Sequence, residues 1–198
     1  MPYSTIAKYD VGKRPSTVWP GKEQSPAIKP LATELIDSVE NYVKANGLDP
    51  MRYNIEIKCR KGKDEGKNWP EYHEFVDKCM ELLLSKNLGD RLVVQCFDAR
   101  ALNYMHEKYP QVKLSYLISK NDTDWDTYMG KLNFTPEWLS PEFVIVDRTM
   151  VDNCRKAGIR LVPWTVDNEA DIRRILDLHV EAIITNYPDR VLKITRGY

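Results

Sequence analysis

Apolar residues recur along this chain in two alternating rhythms. Leu31, Leu35, Ile36, Val39 and Val43 keep helical spacing, and Asn46-Gly47 closes the run. Residues 53–58 then switch to a period of two. Tyr53, Ile55 and Ile57 share one face of the predicted strand, and Glu56 and Lys58 share the other. From there the two patterns alternate. Pro70 opens a helix with Phe75, Val76, Cys79, Leu82 and Leu83 on one side, and residues 91–97 form an apolar strand. A helix carrying Ala101, Leu102, Met105 and His106 is closed by Tyr109-Pro110 and leads to a strand over 113–118. Residues 124–132 read as helical, 142–146 as a short strand or extended piece, and 149–157 as a helix stopped by Gly158. A strand over 160–166, a helix over 169–178, a last strand over 182–186 and a partial helix over 188–194 complete the series. Residues 1–30, rich in Pro, Gly and Lys, show little periodicity and are expected to be an extended loop region, and 61–68 to be a charged loop.

Strands that alternate with helices imply an α/β fold with a parallel sheet and right-handed crossovers. A dinucleotide-binding sheet would carry a Gly-rich phosphate turn after an early strand, and none is present. The rhythm favours a TIM-type (β/α) barrel, in which chemistry sits at the C-terminal ends of the strands. That rule singles out Glu56, Lys58, Gln95, Phe97, Trp164 and Asn186. The pattern yields five or six of the eight strands of a closed barrel. Residues 1–198 are therefore expected to form one partial barrel domain, incomplete at the N-terminus. Open edges, at 53–58 and 182–186, tend to pair with other chains, so self-association is expected. Two charges on one strand face have two readings, an ion pair at a strand edge or part of a site.

At 198 residues with 42% hydrophobic residues, the chain is large enough for one domain with a sizeable core. Lys+Arg and Asp+Glu both total 29, so charge gives no argument for nucleic acid or an anionic membrane as partner. No apolar run is long enough for a membrane span, and the first ten residues lack the regions of a signal peptide, so the chain as written is expected in the cytoplasm. Cys59, Cys79, Cys96 and Cys154 have neither zinc-site nor redox-pair spacing and are read as reduced thiols.

Four blocks carry a resemblance. Asn54-Ile55-Glu56-Ile57-Lys58 resembles the N-I-E-I-K strand of the glycerophosphodiester phosphodiesterases, and Val94-Gln95-Cys96-Phe97-Asp98 their I-Q-S-F-D block. Leu161 to Asp167 is similar to V-x-x-W-T-V-N, and Ala182 to Pro188 to G-I-I-T-D-Y-P. Tyr9-Asp10-Val11-Gly12 also looks like a segment that certain bacterial members carry. The resemblance implies a phosphoric diester hydrolase on a TIM barrel, acting on a small-molecule glycerophosphodiester to release glycerol phosphate and an alcohol. It implies a divalent cation, Ca²⁺ or Mg²⁺, held by carboxylates. Glu56 matches the metal-binding Glu, Lys58 the basic residue facing the phosphate, and Trp164 an aromatic at the pocket wall. Phe97 stands where an apolar contact to the glycerol or alcohol end is expected.

The family pattern opens with motifs that have no counterpart here: H-R-G, E-x-D and H-D, which supply the two catalytic histidines and two metal carboxylates. Proton transfer needs that His pair. The histidines of this chain lie elsewhere: His73 beside Glu71 and Glu74, His106 on the helix after Phe97, and His179 just before the last strand. A single carboxylate rarely holds Ca²⁺ or Mg²⁺, and Asp98 and Asp167 are the other acids near strand ends. Asp167 replaces the family's Asn, Asn186 its Asp, and Cys96 its Ser. The chain alone is thus expected to be inactive, with Met1 an internal methionine of a longer product; an upstream signal sequence would then make it periplasmic or secreted. The alternative is a non-catalytic barrel remnant that binds a partner or a phosphate-bearing ligand.

Overall fold

A computed structural model describes residues 1–15, 17, 21, 23–59, 61–62 and 65–195. Parts of the predicted loops 1–30 and 61–68 lie outside the described residues. The chain divides into two compact units, Met1–Met51 and Arg52–Tyr198.

The first unit holds a short helix, α1 (Tyr3–Ile6), and a longer one, α2 (Ala32–Ala45). Between them the chain turns at Asp10, whose carboxylate accepts the backbone N–H groups of Gly12 (2.9 Å) and Lys13 (2.8 Å). Val11 N–H then donates to Ala27 O (2.8 Å), and the backbones approach so closely that a Cβ on Gly12 would meet Ser25 O at 1.9 Å. Only glycine fits there. The Glu34 side chain reaches back to the Leu31 N–H at the start of α2 (3.4 Å).

The second unit is a parallel five-stranded sheet, β1 (Tyr53–Glu56), β2 (Leu92–Cys96), β3 (Lys113–Ile118), β4 (Trp138–Pro141) and β5 (Arg160–Leu161), each beside its neighbour in sequence. Helices α3 (Tyr72–Leu84), α4 (Ala99–Lys108), α5 (Trp125–Met129), α6 (Arg148–Ala157), α7 (Glu169–Leu176) and α8 (Pro188–Thr195) follow the strands in turn. One sheet face buries Leu92, Val94, Cys96, Leu114, Tyr116, Ile118, Leu139 and Leu161. The helices bury Val76, Met80 and Leu83, then Ala101, Leu102 and Met105, then Ile172 and Ile175. Each such aliphatic side chain contributes about 1.5–3 kcal/mol on burial. The register pairs Ile55 with Val94, Gln95 with Ser115, and Tyr116 with Leu139, so residues of one face stay together across the sheet.

The opposite face, the inside of the incomplete barrel, is polar. Ser115 Oγ and Ser140 Oγ lie 2.7 Å apart and buried, and Asn54 Nδ2 donates to Gln95 Oε1 (3.0 Å). Buried hydroxyls and amides are tolerated because each finds a partner.

Four of the turns that lead from strand to helix are fixed by the same device. Asp98, Asp124, Asp147 and Asn168 each cap a helix, accepting from Arg100 N (3.0 Å), Thr127 N (2.8 Å), Met150 N (2.8 Å) and Asp171 N (2.9 Å). Such a cap contributes about 1 kcal/mol. At the other end of α6, Gly158 takes a left-handed conformation with φ of 71°.

The sheet departs from the expected strands in several places: β1 stops at Glu56 and β5 at Leu161, short of the predicted 53–58 and 160–166, and two further differences concern position. The fourth strand is Trp138–Pro141, four residues ahead of the predicted 142–146, where Phe143–Ile145 forms a 3-10 turn instead. Ser140 faces the serine of β3, a partner outside the local pattern, and the apolar run that suggested a strand packs as a turn. Residues 182–186 run beside 163–167, tied by Ile184 N–H to Pro163 O and Val166 N–H to Ile184 O (both 2.9 Å), without forming a strand. The sheet is not closed, as expected of an incomplete barrel.

Candidate functional site

The C-terminal ends of the strands gather the residues singled out from the sequence. Glu56 ends β1 opposite Gln95. Its carboxylate accepts from Lys58 Nζ at 2.6 Å, with the Lys58 side chain 70% exposed and that of Glu56 24%. The two charges thus share a face and pair directly. An ion pair this open contributes at most about 1 kcal/mol, so its place in the fold is not a stability requirement.

Phe97, just past β2, and Trp164, just past β5, touch edge to face, with ring centroids 5.5 Å apart and planes at 85°. Their strands are separated by β3 and β4, so the contact spans the inner face of the sheet. Trp164 is anchored by its indole Nε1, which donates to Ser140 O (2.7 Å), and by its backbone, which donates to Pro141 O (2.9 Å) and accepts from Phe143 N (2.7 Å). Phe97 remains 45% exposed. An aromatic that open at a strand end is available as a wall for a ligand.

Sequence reasoning passed over Glu142. It pairs with Trp164 in a parallel bridge, and its carboxylate accepts the Lys120 N–H (2.8 Å), which places a second acid at this rim. The signal was its spacing, two residues after the inward-facing Ser140. Also unforeseen is the Arg100 guanidinium, which binds Asp98 (2.6 Å) and Glu65 (3.1 Å) and lies over the Tyr72 ring at 4.6 Å. Charge-assisted bonds of this kind hold a loop to a helix.

Beside this, the Cys96 sulfur accepts the Asp98 N–H at 3.3 Å. A bond from Cys59 lowers the Cys96 thiol below its ordinary value, and the same bond together with burial raises that of Cys59. A cavity of about 610 Å³ opens here, lined by Cys59, Phe97, Arg100, Tyr116, Asp122 and Lys131. A second cavity, of about 490 Å³, lies at the N-terminal ends of the strands between Tyr53, Trp138 and Arg160. It lies on the interior face of the open sheet, at the end away from the predicted chemistry.

The three histidines are all exposed. His73 packs edge-on against Tyr72, His106 stacks on Phe134 with centroids 4.2 Å apart, and His179 adopts a φ of 56° after α7. None of these contacts is with Glu56, Lys58, Phe97 or Trp164. The other strand-end acids are committed: Asp98 to the α4 cap and Arg100, and Asp167 to the chain at 185–186. Among the described residues no group of three or more His, Cys, Asp or Glu side chains is arranged to hold a metal. Ca²⁺ asks for roughly six to eight oxygens, so the described side chains do not by themselves furnish such a site.

Comparison with known proteins extends the likeness beyond these residues. The family model described as "Glycerophosphoryl diester phosphodiesterase family" matches residues 1–190. A glycerophosphodiester phosphodiesterase of Bacillus subtilis (strain 168) is 28% identical over 120 residues, covering 60% of this chain and 41% of that protein. One from Caldanaerobacter subterraneus subsp. tengcongensis is 24% identical over 126 residues, covering 63% of this chain and 51% of that one. The match thus spans about half the length of these relatives. Among solved structures, a putative glycerophosphoryl diester phosphodiesterase from Silicibacter pomeroyi DSS-3 aligns with a TM-score of 0.81 at 24% identity, over 100% of this chain and 69% of its own. An Oleispira antarctica phosphodiesterase in complex with the product sn-glycerol-3-phosphate aligns at 0.73 and 20% identity, over 98% of this chain and 70% of its own. These similarities show the fold. Among the described residues, no helix is long and apolar enough to cross a membrane.

Proposed function

Because the chain belongs to the glycerophosphoryl diester phosphodiesterase family, we propose that it supplies one side of the pocket of a glycerophosphodiester phosphodiesterase. Such an enzyme hydrolyses a glycerophosphodiester to glycerol phosphate and an alcohol. The observation that carries this reading is the meeting of Phe97 and Trp164 over the inner face at the strand ends that also bear Glu56 and Lys58. The Lys58 ammonium is suited to the anionic phosphate, and electrostatic stabilisation of the oxygens is the main help a phosphodiester needs. Phe97 and Trp164 offer apolar surface to the glycerol or alcohol carbons. A divalent cation would add a Lewis acid at the phosphate, with Glu56 as one of its ligands. The remaining ligands and the proton-transferring pair are not among the groups gathered at this rim, so the chain alone is proposed to bind without turnover. The glycerol phosphate held by the Oleispira antarctica protein supports a small-molecule ligand of this kind.

The test is calorimetric titration of the chain with sn-glycerol 3-phosphate, with and without CaCl₂. Binding that falls at least about tenfold, roughly 1.4 kcal/mol, in Lys58→Met supports the reading. Equal binding by wild type and Lys58→Met, or steady hydrolysis of glycerophosphocholine by the chain alone, overturns it.

A second reading is a non-catalytic barrel remnant. It is favoured by the engagement of the Glu56 carboxylate with Lys58 rather than with other acids. It predicts a thermal melt that does not respond to Ca²⁺. In either case the open five-stranded sheet is proposed to self-associate, which a dilution series by size-exclusion chromatography measures.

A further inference from the structure

The cavity of about 490 Å³ at the N-terminal ends of the strands has no part in the pocket proposed above. Its floor is the inner face of the sheet. The register sets Val93 beside Lys113, Ser115 beside Trp138, and Trp138 beside Arg160, so these side chains leave one face together. Val162, buried, extends the apolar part of that floor. The inner face of a barrel sheet is ordinarily filled by branched aliphatic residues, so an arginine and a lysine there call for a reason.

Charge is unbalanced in this cavity. Arg52, Arg91, Lys113 and Arg160 line it, against the carboxylates of Asp90 and Glu181. Both carboxylates are engaged. Asp90 Oδ1 binds Lys113 Nζ (2.9 Å), and that bond, with the Lys113 and Arg52 charges, holds its carboxyl below the ordinary value. Glu181 Oε2 accepts the Leu161 N–H (2.7 Å). Among the described residues no carboxylate pairs with Arg160, whose guanidinium lies over the Trp138 ring at 5.0 Å. Trp138 carries an independent signal. Its indole Nε1 is buried and has no hydrogen-bond partner among the described residues. A buried donor left unpaired is costly and asks for an acceptor.

We propose that this cavity binds a small organic anion, its carboxylate held by Arg160 and its apolar body resting on Val93, Val162 and the edge of Trp138. The indole braces the guanidinium through a cation–π contact, which leaves the N–H edge of the arginine for two parallel bonds to a carboxylate. A turn of the indole toward a ligand oxygen would give its N–H the acceptor it lacks. The volume falls in the range that holds small organic ligands. Neither Glu56 nor Lys58 enters, so the site stands apart from the pocket at the opposite ends of the strands.

The test titrates the chain with 2-naphthoate, with the neutral 2-naphthalenemethanol and with inorganic phosphate. It is read by calorimetry and by the ¹H–¹⁵N cross-peak of the Trp138 indole, identified with Trp138→Phe. Saturable binding of 2-naphthoate below about 1 mM that moves the Trp138 peak is expected. The neutral alcohol, inorganic phosphate and 2-naphthoate with Arg160→Met should each bind at least about tenfold more weakly. Arg160 is exposed, so Arg160→Met is expected to fold. The comparison of acid with alcohol needs no variant and decides the charge requirement even where that variant melts lower. Equal binding of acid and alcohol, an unmoved Trp138 peak, or no saturation below about 1 mM overturns the site. Affinity lost in Lys58→Met but kept in Arg160→Met places the anion at the other rim and also overturns it. A Trp138 peak that moves with protein concentration alone shows a second copy on this face, which overturns the small-anion assignment.

Discussion

Phe97 and Trp164 follow strands that are not neighbours, yet their rings meet at 5.5 Å and nearly at right angles. The contact ties the second strand to the fifth across the mouth of the sheet. Edge-to-face pairs add about 0.5–1.5 kcal/mol beyond the area they bury. Phe97→Ala is therefore expected to lower the melting temperature by only about 2–6 °C. The effect on ligand should be larger, since the ring is half open to solvent. Calorimetry with sn-glycerol 3-phosphate should show at least a tenfold weaker dissociation constant, about 1.4 kcal/mol.

Glu56→Gln separates stability from function. Among the described residues its charged partner is the exposed Lys58. Removing the pair should change stability by less than about 1 kcal/mol in a urea titration. A loss of several kcal/mol would mean that the carboxylate is structural, contrary to the role given to it here.

The buried serine pair predicts a non-additive cycle. Ser140→Ala leaves the Ser115 hydroxyl, 1% exposed, without its partner at 2.7 Å. The cost of an unpaired buried hydroxyl is about 1–3 kcal/mol. Ser115→Ala combined with Ser140→Ala should cost less than the two single changes added together, measured by urea unfolding of all four proteins.

Asp77 predicts the shape of the acid limb of stability. Its carboxylate binds Lys108 (2.8 Å), Tyr109 (2.7 Å) and Tyr104 (3.0 Å), linking α3 to α4. The bond from Lys108, with those from the two tyrosines, holds its carboxyl below the ordinary value against burial. A lowered folded-state value contributes stability above the unfolded value, roughly 3.9, that is lost as pH falls through the folded one. Asp77→Asn should therefore flatten the stability curve below about pH 4. Tyr109 marks the alkaline side: burial, then Asp77, raises its hydroxyl to about 12. Its contribution is full below the ordinary tyrosine value of about 10 and is lost as pH rises through the folded value. Tyr109→Phe should flatten that limb, followed by circular dichroism.

Periodicity located most of the sheet because most of its strands are apolar on the face that meets the helices. Lys113–Ile118 was legible to the residue, since alternate positions Leu114, Tyr116 and Ile118 are all buried. Trp138–Pro141 was not, because Ser140 and Pro141 weaken the local strand pattern and Ser140 is explained only by Ser115 across the sheet. Residues 182–186 look like a strand, but with so few main-chain bonds to 163–167 they do not become one. At the site, Glu56, Lys58, Phe97 and Trp164 followed from strand ends and block likeness; the structure pairs Glu56 with Lys58 and Phe97 with Trp164. Glu142 and the Arg100 cluster did not, since their partners are remote in sequence: Lys120 for the first and Glu65 for the second.

The capped turns at Asp98, Asp124, Asp147 and Asn168 carry a consequence for recognition. Loops that support a rim are commonly the part of a protein that must stiffen when a small molecule arrives, and that stiffening weakens association. Here the chain has already lost that freedom during folding, because a carboxylate or amide pins each turn to the first coil of the next helix. A molecule settling at this rim meets a preformed surface, and its affinity reflects the contacts it makes rather than the disorder it must quench.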